Sequence, residues 1–144
     1  MEPVTSAFGL RLIVPDAEAL DVHASLRYSS EDPYAVQVTF RAGGPRGEES
    51  VEWTFARQLL TDGVTQPAGE GDVRVWPAEA NEEAAAPIVC LALTSPSGRA
   101  LFEVPLAELV EFLTRTYAQV PTGSESDYID VDSELVDLLG DEIY

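Results

Sequence analysis

The sequence predicts an α+β fold of antiparallel β-sheets, with about seven strands and about three helices. Three observations carry this reading. Apolar and polar residues alternate in four separate stretches of the first half, the pattern of half-buried antiparallel strands. Two further strand-like stretches flank Ser95-Pro96-Ser97-Gly98, which places Pro second and Gly fourth as a type I turn favours. One later segment changes period: Leu106, Leu109, Val110, Leu113 and Tyr117 recur at helical spacing.

In chain order, the first strand alternates Phe8, Leu10, Leu12 and Val14 with Gly9, Arg11 and Ile13. The second sets Ala24, Leu26 and Tyr28 against Ser25 and Arg27, and the third sets Tyr34, Val36, Val38 and Phe40 against Ala35, Gln37 and Thr39. Val51, Trp53 and Phe55 form the fourth. The connectors Ser29-Ser30-Glu31-Asp32-Pro33 and Gly43-Gly44-Pro45-Arg46-Gly47 have turn chemistry. A short helix follows at about 56–62, with Gly63 placed to end it. Val73 to Trp76, closed by Pro77, is the fifth strand, and an Ala- and Glu-rich loop runs from about Ala78 to Pro87.

Ile88 to Thr94 is apolar on both faces, which predicts a central strand. Arg99 to Val104 returns as its hairpin partner. Pro105 suits the first turn of the next helix, where its missing N–H costs nothing, and Glu111 and Arg115 stand one turn apart to pair on its exposed face. Pro121-Thr122-Gly123 ends this unit. A last helix is expected at about 133–139, with Asp132 as N-cap and Gly140 as terminator. Two β-rich units, each closed by a helix, emerge without any repeat in the residues themselves.

At 144 residues the chain suits a single domain (1–144) that ends in an acidic helical segment at about 122–144. Its charge narrows the functions open to it. There are 26 acids against eight bases, every base is arginine, and the net charge is −18. Nucleic-acid affinity rests on cationic contacts that release counterions, so this balance argues against a partner bound mainly through phosphates. It equally disfavours direct binding to an anionic membrane. One cysteine excludes an intramolecular disulfide and a multi-cysteine zinc site. No base precedes Arg11, as the cationic region of a signal peptide would require, and the longest apolar stretch, Ala84 to Leu93, is far short of the ~20 residues of a spanning helix. A cytoplasmic location is expected.

Catalytic and cofactor chemistry finds little support in the residues. Cys90, inside the most apolar strand, is expected to behave as a small hydrophobe with a raised pKa, and His23 is expected to be exposed and idle. Asp127 to Glu134 is rich in oxygens, but counting from Asp130 the sixth position is Leu135 rather than the glycine of a calcium loop. Gly69-Glu70-Gly71-Asp72 lacks the Lys-Ser/Thr pair of a phosphate loop and leads into a strand, so a tight connection is expected there. Tyr34, Phe40, Trp53 and Phe55 read as core rather than as a base-stacking platform, because Glu48, Glu49 and Glu52 surround them. No catalytic, metal or cofactor residue is assigned.

Partner binding is what remains. Of the net charge, −8 lies in the last 29 residues, which contain no base. Val131, Leu135, Leu138 and Leu139 form an apolar stripe in that acidic tail and are the candidate partner-binding residues. The stripe either covers the domain's own core or meets another chain. Open sheet edges also invite oligomerisation.

Several segments together resemble one family. They are Leu26-Arg27-Tyr28 with Asp32-Pro33-Tyr34-Ala35-Val36; Val51-Glu52-Trp53-Thr54-Phe55-Ala56-Arg57 with Leu59-Leu60; Gly69-Glu70-Gly71-Asp72-Val73-Arg74-Val75-Trp76-Pro77; and Phe112-Leu113-Thr114-Arg115-Thr116 with Val120-Pro121. In this order, across roughly residues 8–139, they resemble the SsgA-like proteins of sporulating actinobacteria, with Arg74-Val75-Trp76-Pro77 most similar to the SsgB branch. The resemblance implies a non-enzymatic role in sporulation-specific cell division: marking septum sites, recruiting FtsZ and meeting other SsgA-like proteins. It also implies a fold like the single-strand-DNA-binding Whirly proteins, assembled as a homotrimer. The alternative function is a Whirly-type single-stranded nucleic-acid-binding module. Whirly proteins bind DNA through a lysine-containing motif and this chain has no lysine, so reuse of the fold for protein contact is expected.

Overall fold

A computed structural model describes residues 2–42, 50–78, 87–96 and 98–125. The elements run β1 (Val4–Ile13), β2 (Leu20–Tyr28), β3 (Ala35–Ala42), β4 (Ser50–Ala56), α1 (Arg57–Gly63), β5 (Val73–Pro77), β6 (Ile88–Ser95), β7 (Gly98–Pro105) and α2 (Leu106–Gln119). The helix expected at about 133–139 lies outside the described residues, which hold two helices.

The seven strands form one antiparallel sheet, ordered β4-β3-β2-β1-β7-β6-β5, rather than separate sheets. Each expected unit is a meander, β1–β4 and β5–β7, and each is followed by its helix. They join edge to edge where Arg11, Leu12 and Ile13 of β1 pair with Glu103, Phe102 and Leu101 of β7. The sheet curls until its halves meet: Phe40 of β3 stacks on Phe102 of β7, ring centroids 4.6 Å apart.

The period of two dictates the inner face. Phe8, Leu10, Val22, Ala24, Leu26, Val36, Val38 and Phe55 are buried on one half, and Val75, Val89, Leu91, Leu93, Phe102 and Val104 on the other. Each large apolar side chain buried here is worth ~1.5–3 kcal/mol. The void they enclose, ~30 Å³ with an entirely apolar lining, offers a water nothing to bond.

Four local expectations are corrected. Gly63 does not end α1 in the left-handed conformation; the cap is Val64 in the right-handed helical region. Its small size serves packing instead, since a Cβ there would lie 2.3 Å from Val75 Cγ1. Pro105 is not in the first turn of α2. It is the N-cap, with φ −60° and ψ 122°, and closes β7. On α2 the buried side is Leu109, Phe112, Leu113 and Thr116, whereas Val110 is 40% exposed. Finally, β6 lies between β5 and β7 as expected, but only Val89, Leu91 and Leu93 are fully buried. Ile88, Cys90, Ala92 and Thr94 are half-buried on its other side. No described helix is long and apolar enough to cross a membrane.

Candidate functional site

The residues considered for catalysis do not converge. Cys90 is on β6 and His23 on β2, with β7 and β1 between them in the sheet. Cys90 is half-buried rather than enclosed; burial, and next the charge of Glu103 opposite it, push its thiol up, away from the thiolate a nucleophile needs. His23 is exposed within β2 and stands in register between Gly9 and Arg41. Among the described residues no three His, Cys, Asp or Glu side chains are grouped to hold a metal. Asp127 to Glu134 lies outside those residues. Gly69 and Gly71 have φ of +95° and +73° and shape the entry to β5, where Ala68 and Val75 exchange backbone hydrogen bonds of 2.8 and 2.9 Å.

Three of the four aromatics are inward-facing. Phe40 and Phe55 are buried, and Trp53 packs against that core, stacked 6.0 Å from Phe55. Tyr34 is the correction: it is 51% exposed at the entry to β3. This arrangement offers no flat aromatic surface to bases.

An arginine to which the sequence reading gave no role of its own holds the two units together. Arg57, the first residue of α1, is 1% exposed. Its guanidinium lies 3.9 Å from the Tyr117 ring centroid and 4.9 Å from that of Tyr28. It donates to the carbonyls of Thr116 (3.1 Å) and Val120 (2.8 Å), satisfying acceptors at the end of α2 where a cation also suits the helix dipole. It pairs with Glu125 at 2.9 Å. Hydrogen bonds from its own backbone amide and from Arg57 hold the Glu125 carboxyl below the usual carboxylate range. Burial pushes the Tyr28 hydroxyl up to about 12, partly offset by Arg57, so it stays protonated and donates to Pro33 O at 2.9 Å. The signal in the sequence was two tyrosines, Tyr28 and Tyr117, bracketing an arginine at the end of an apolar strand. Nothing in the spacing showed that they meet.

The outer faces of the two units differ in chemistry. On β1–β4 the outward residues include Thr5, Ser25, Arg27, Gln37, Thr39 and Glu52, around a polar concavity. On β5–β7, register places Trp76 beside Cys90 and Ala92 beside Leu101, with Leu101 beside Ile13 of β1. All five are half-buried by one another and by the strands, and no described element covers them. Ile13, Trp76, Ala92 and Leu101 belong to a groove of ~950 Å³ open volume that also takes in Arg74 and Arg99. The both-faces-apolar pattern of β6 thus marks an open surface rather than a covered one. Val131, Leu135, Leu138 and Leu139 lie outside the described residues. Their root is fixed, because Glu125 is held by Arg57.

Comparison with known proteins now adds to this geometry. The model of the family described as Streptomyces sporulation and cell division protein, SsgA, matches residues 22–125. The sporulation-specific cell division protein SsgB of Frankia casuarinae is 53% identical over 138 residues, covering 96% of this chain and 92% of that protein. The SsgB of Streptomyces coelicolor is 47% identical, covering 96% of both. The crystal structure of an SsgA-like sporulation-specific cell division protein from Thermobifida fusca superposes with a TM-score of 0.81 at 47% identity, covering 96% of both chains.

Proposed function

Since the chain belongs to the SsgA family of sporulation and cell-division proteins, we propose that it is a non-enzymatic regulator that marks septum sites and recruits FtsZ. The near-full-length match to proteins named SsgB carries this reading. Its action is recruitment: several identical surfaces on one oligomer raise the local concentration of filament subunits. We assign it to the cytoplasmic side of the division septum, with FtsZ and other SsgA-like proteins as partners and neither nucleic acid nor membrane bound directly. The charge of −18 supports the last point.

The assembly is a homotrimer. Among the described residues β4 has a free sheet edge, and Val51 on it is 55% exposed, which favours contact between copies. The order of two meanders, each closed by a helix, supports a Whirly-like reading of the fold. In the tail, Val131, Leu135, Leu138 and Leu139 are the partner-binding residues.

The test is co-pelleting of the purified protein with GTP-assembled FtsZ from the same source. Saturable pelleting is expected, and it should be lost in the Leu135→Asp/Leu138→Asp variant. No pelleting by the folded natural protein overturns direct recruitment. Light scattering of the same sample should give three times the chain mass; a monomer overturns the trimer.

A further inference from the structure

We infer that, in the free protein, the acidic tail docks within its own chain onto the outer groove of β5–β7. The groove has two features that the tail requires. It offers uncovered apolar surface from Trp76, Ala92, Leu101 and Ile13. It also offers Arg74 and Arg99, neither of which forms an ion pair among the described residues. Asp72 is the one acid among the described residues of the lining. Glu103, the neighbouring acid on β7, is already paired with Arg11 at 3.4 Å.

The tail has the complementary chemistry. Residues 126–144 contain seven acids and no base, interleaved with the stripe of Val131, Leu135, Leu138 and Leu139. The outer face of β1–β4 does not compete for it. Arg27 is the one cation in the described lining there, Glu52 stands in the same lining, and Thr5, Ser25, Gln37 and Thr39 are polar.

Geometry permits the docking within one chain. Glu125 on Arg57 fixes where the tail leaves the fold. The 19 residues beyond it reach up to ~60 Å when extended, well past the ~15 Å radius of gyration of a domain this size. Tethering supplies an effective concentration of order 1 mM, so even a contact with ~100 µM intrinsic affinity is mostly closed.

The docking does not rest on the recruitment reading, but it gives that reading a consequence. The same leucines proposed to meet FtsZ are occupied until a partner competes for them.

Trp76 reports the contact. In the full chain with Trp53→Phe it is the only tryptophan, since the natural sequence has two. Its acrylamide quenching should be low. The Stern–Volmer constant should rise about twofold or more in both Arg74→Glu/Arg99→Glu and Leu135→Asp/Leu138→Asp/Leu139→Asp, as a mostly closed tether opens. It should also rise at ~1 M salt, where the Debye length falls to ~3 Å. Unchanged quenching in the leucine variant overturns the docking. Protection that disappears on dilution overturns it as well, because it would place a second copy in the groove. Should Trp53→Phe fail to fold, hydrogen exchange over residues 126–144 decides, with the natural chain protected and both variants not. None of these readouts uses FtsZ, so failure of recruitment and failure of docking stay distinguishable.

Discussion

In the β1–β4 half of the sheet the outward side chains include Thr5, Ser25, Arg27, Gln37, Thr39 and Glu52, whereas in the β5–β7 half Trp76, Cys90, Ala92 and Leu101 stand outward among Arg74, Arg99 and Glu103. Facing inward, the halves are alike, with Val, Leu and Phe buried on every strand pair. One curled sheet therefore has two kinds of strand. Those of the first half are amphipathic and finished by water. Those of the second also carry apolar side chains outward, between Arg74, Arg99 and Glu103, and no described element covers them. The sequence period separates the two kinds, but it does not say what covers the second.

The largest predicted effect comes from breaking the joint between the halves. Arg57→Met leaves Glu125 partly buried without its cation and strips donors from the carbonyls of Thr116 and Val120. A loss of ~3–5 kcal/mol is expected by denaturant titration, or roughly 10 °C in Tm. A change below ~1 kcal/mol would show that the halves are held by the β1–β7 seam alone. Next, Gly63→Val drives a branched side chain into Val75 where α1 meets β5. It should cost ~1–3 kcal/mol, and wild-type stability would mean that the helix can ride up without penalty.

A matched pair of substitutions then compares the outer faces directly. Gln37→Lys on β3 should change stability by no more than ~0.5 kcal/mol. Leu101→Lys on β7 should cost ~1 kcal/mol from lost apolar burial. Equal costs would erase the distinction between the faces.

The smallest effect is titration of Glu125. Its carboxyl is depressed in the folded state, so its contribution is complete above the ordinary glutamate value and is lost as pH falls through the depressed one. Glu125→Gln should flatten that part of the stability profile, below the ordinary glutamate range. An unchanged profile would assign the acid sensitivity to other carboxylates.

Most of the fold was legible because its strands obey a period of two with their polar residues outward. The limits of legibility have particular causes. β1 begins at Val4, four residues before the expected Phe8, because Ser6 sits on its inner face and interrupts the apolar alternation. On α2, Val110 fits helical spacing but Phe112 takes the buried place, because the helix packs on β1, β7 and β6 at once and its buried stripe is turned accordingly. The site was less legible than the fold. A buried Arg57 looks like any surface arginine until its partners, nearly 60 residues on, are brought to it. The groove of Trp76, Ala92 and Leu101 joins three strands whose outward registers no single period reveals. The tail stripe was visible, but what it meets depends on contacts that sequence order does not encode.

The seam between the halves also has a consequence in time. β1 pairs with β2 from Val4 to Leu12, yet its other neighbour, β7, engages only Arg11 to Ile13. During synthesis the first meander emerges complete while that side of β1 has no partner. The ~50 residues that follow, through the end of β7, take roughly 3–10 s at ~5–20 residues per second. For that interval a nascent chain exposes a bare strand edge beside a half-built core, the arrangement most prone to pairing with a neighbouring copy. Ribosome-bound chains arrested before β7 should therefore associate with one another, and chains arrested beyond α2 should not. The protein's most delicate moment falls in its assembly, before its fold is closed.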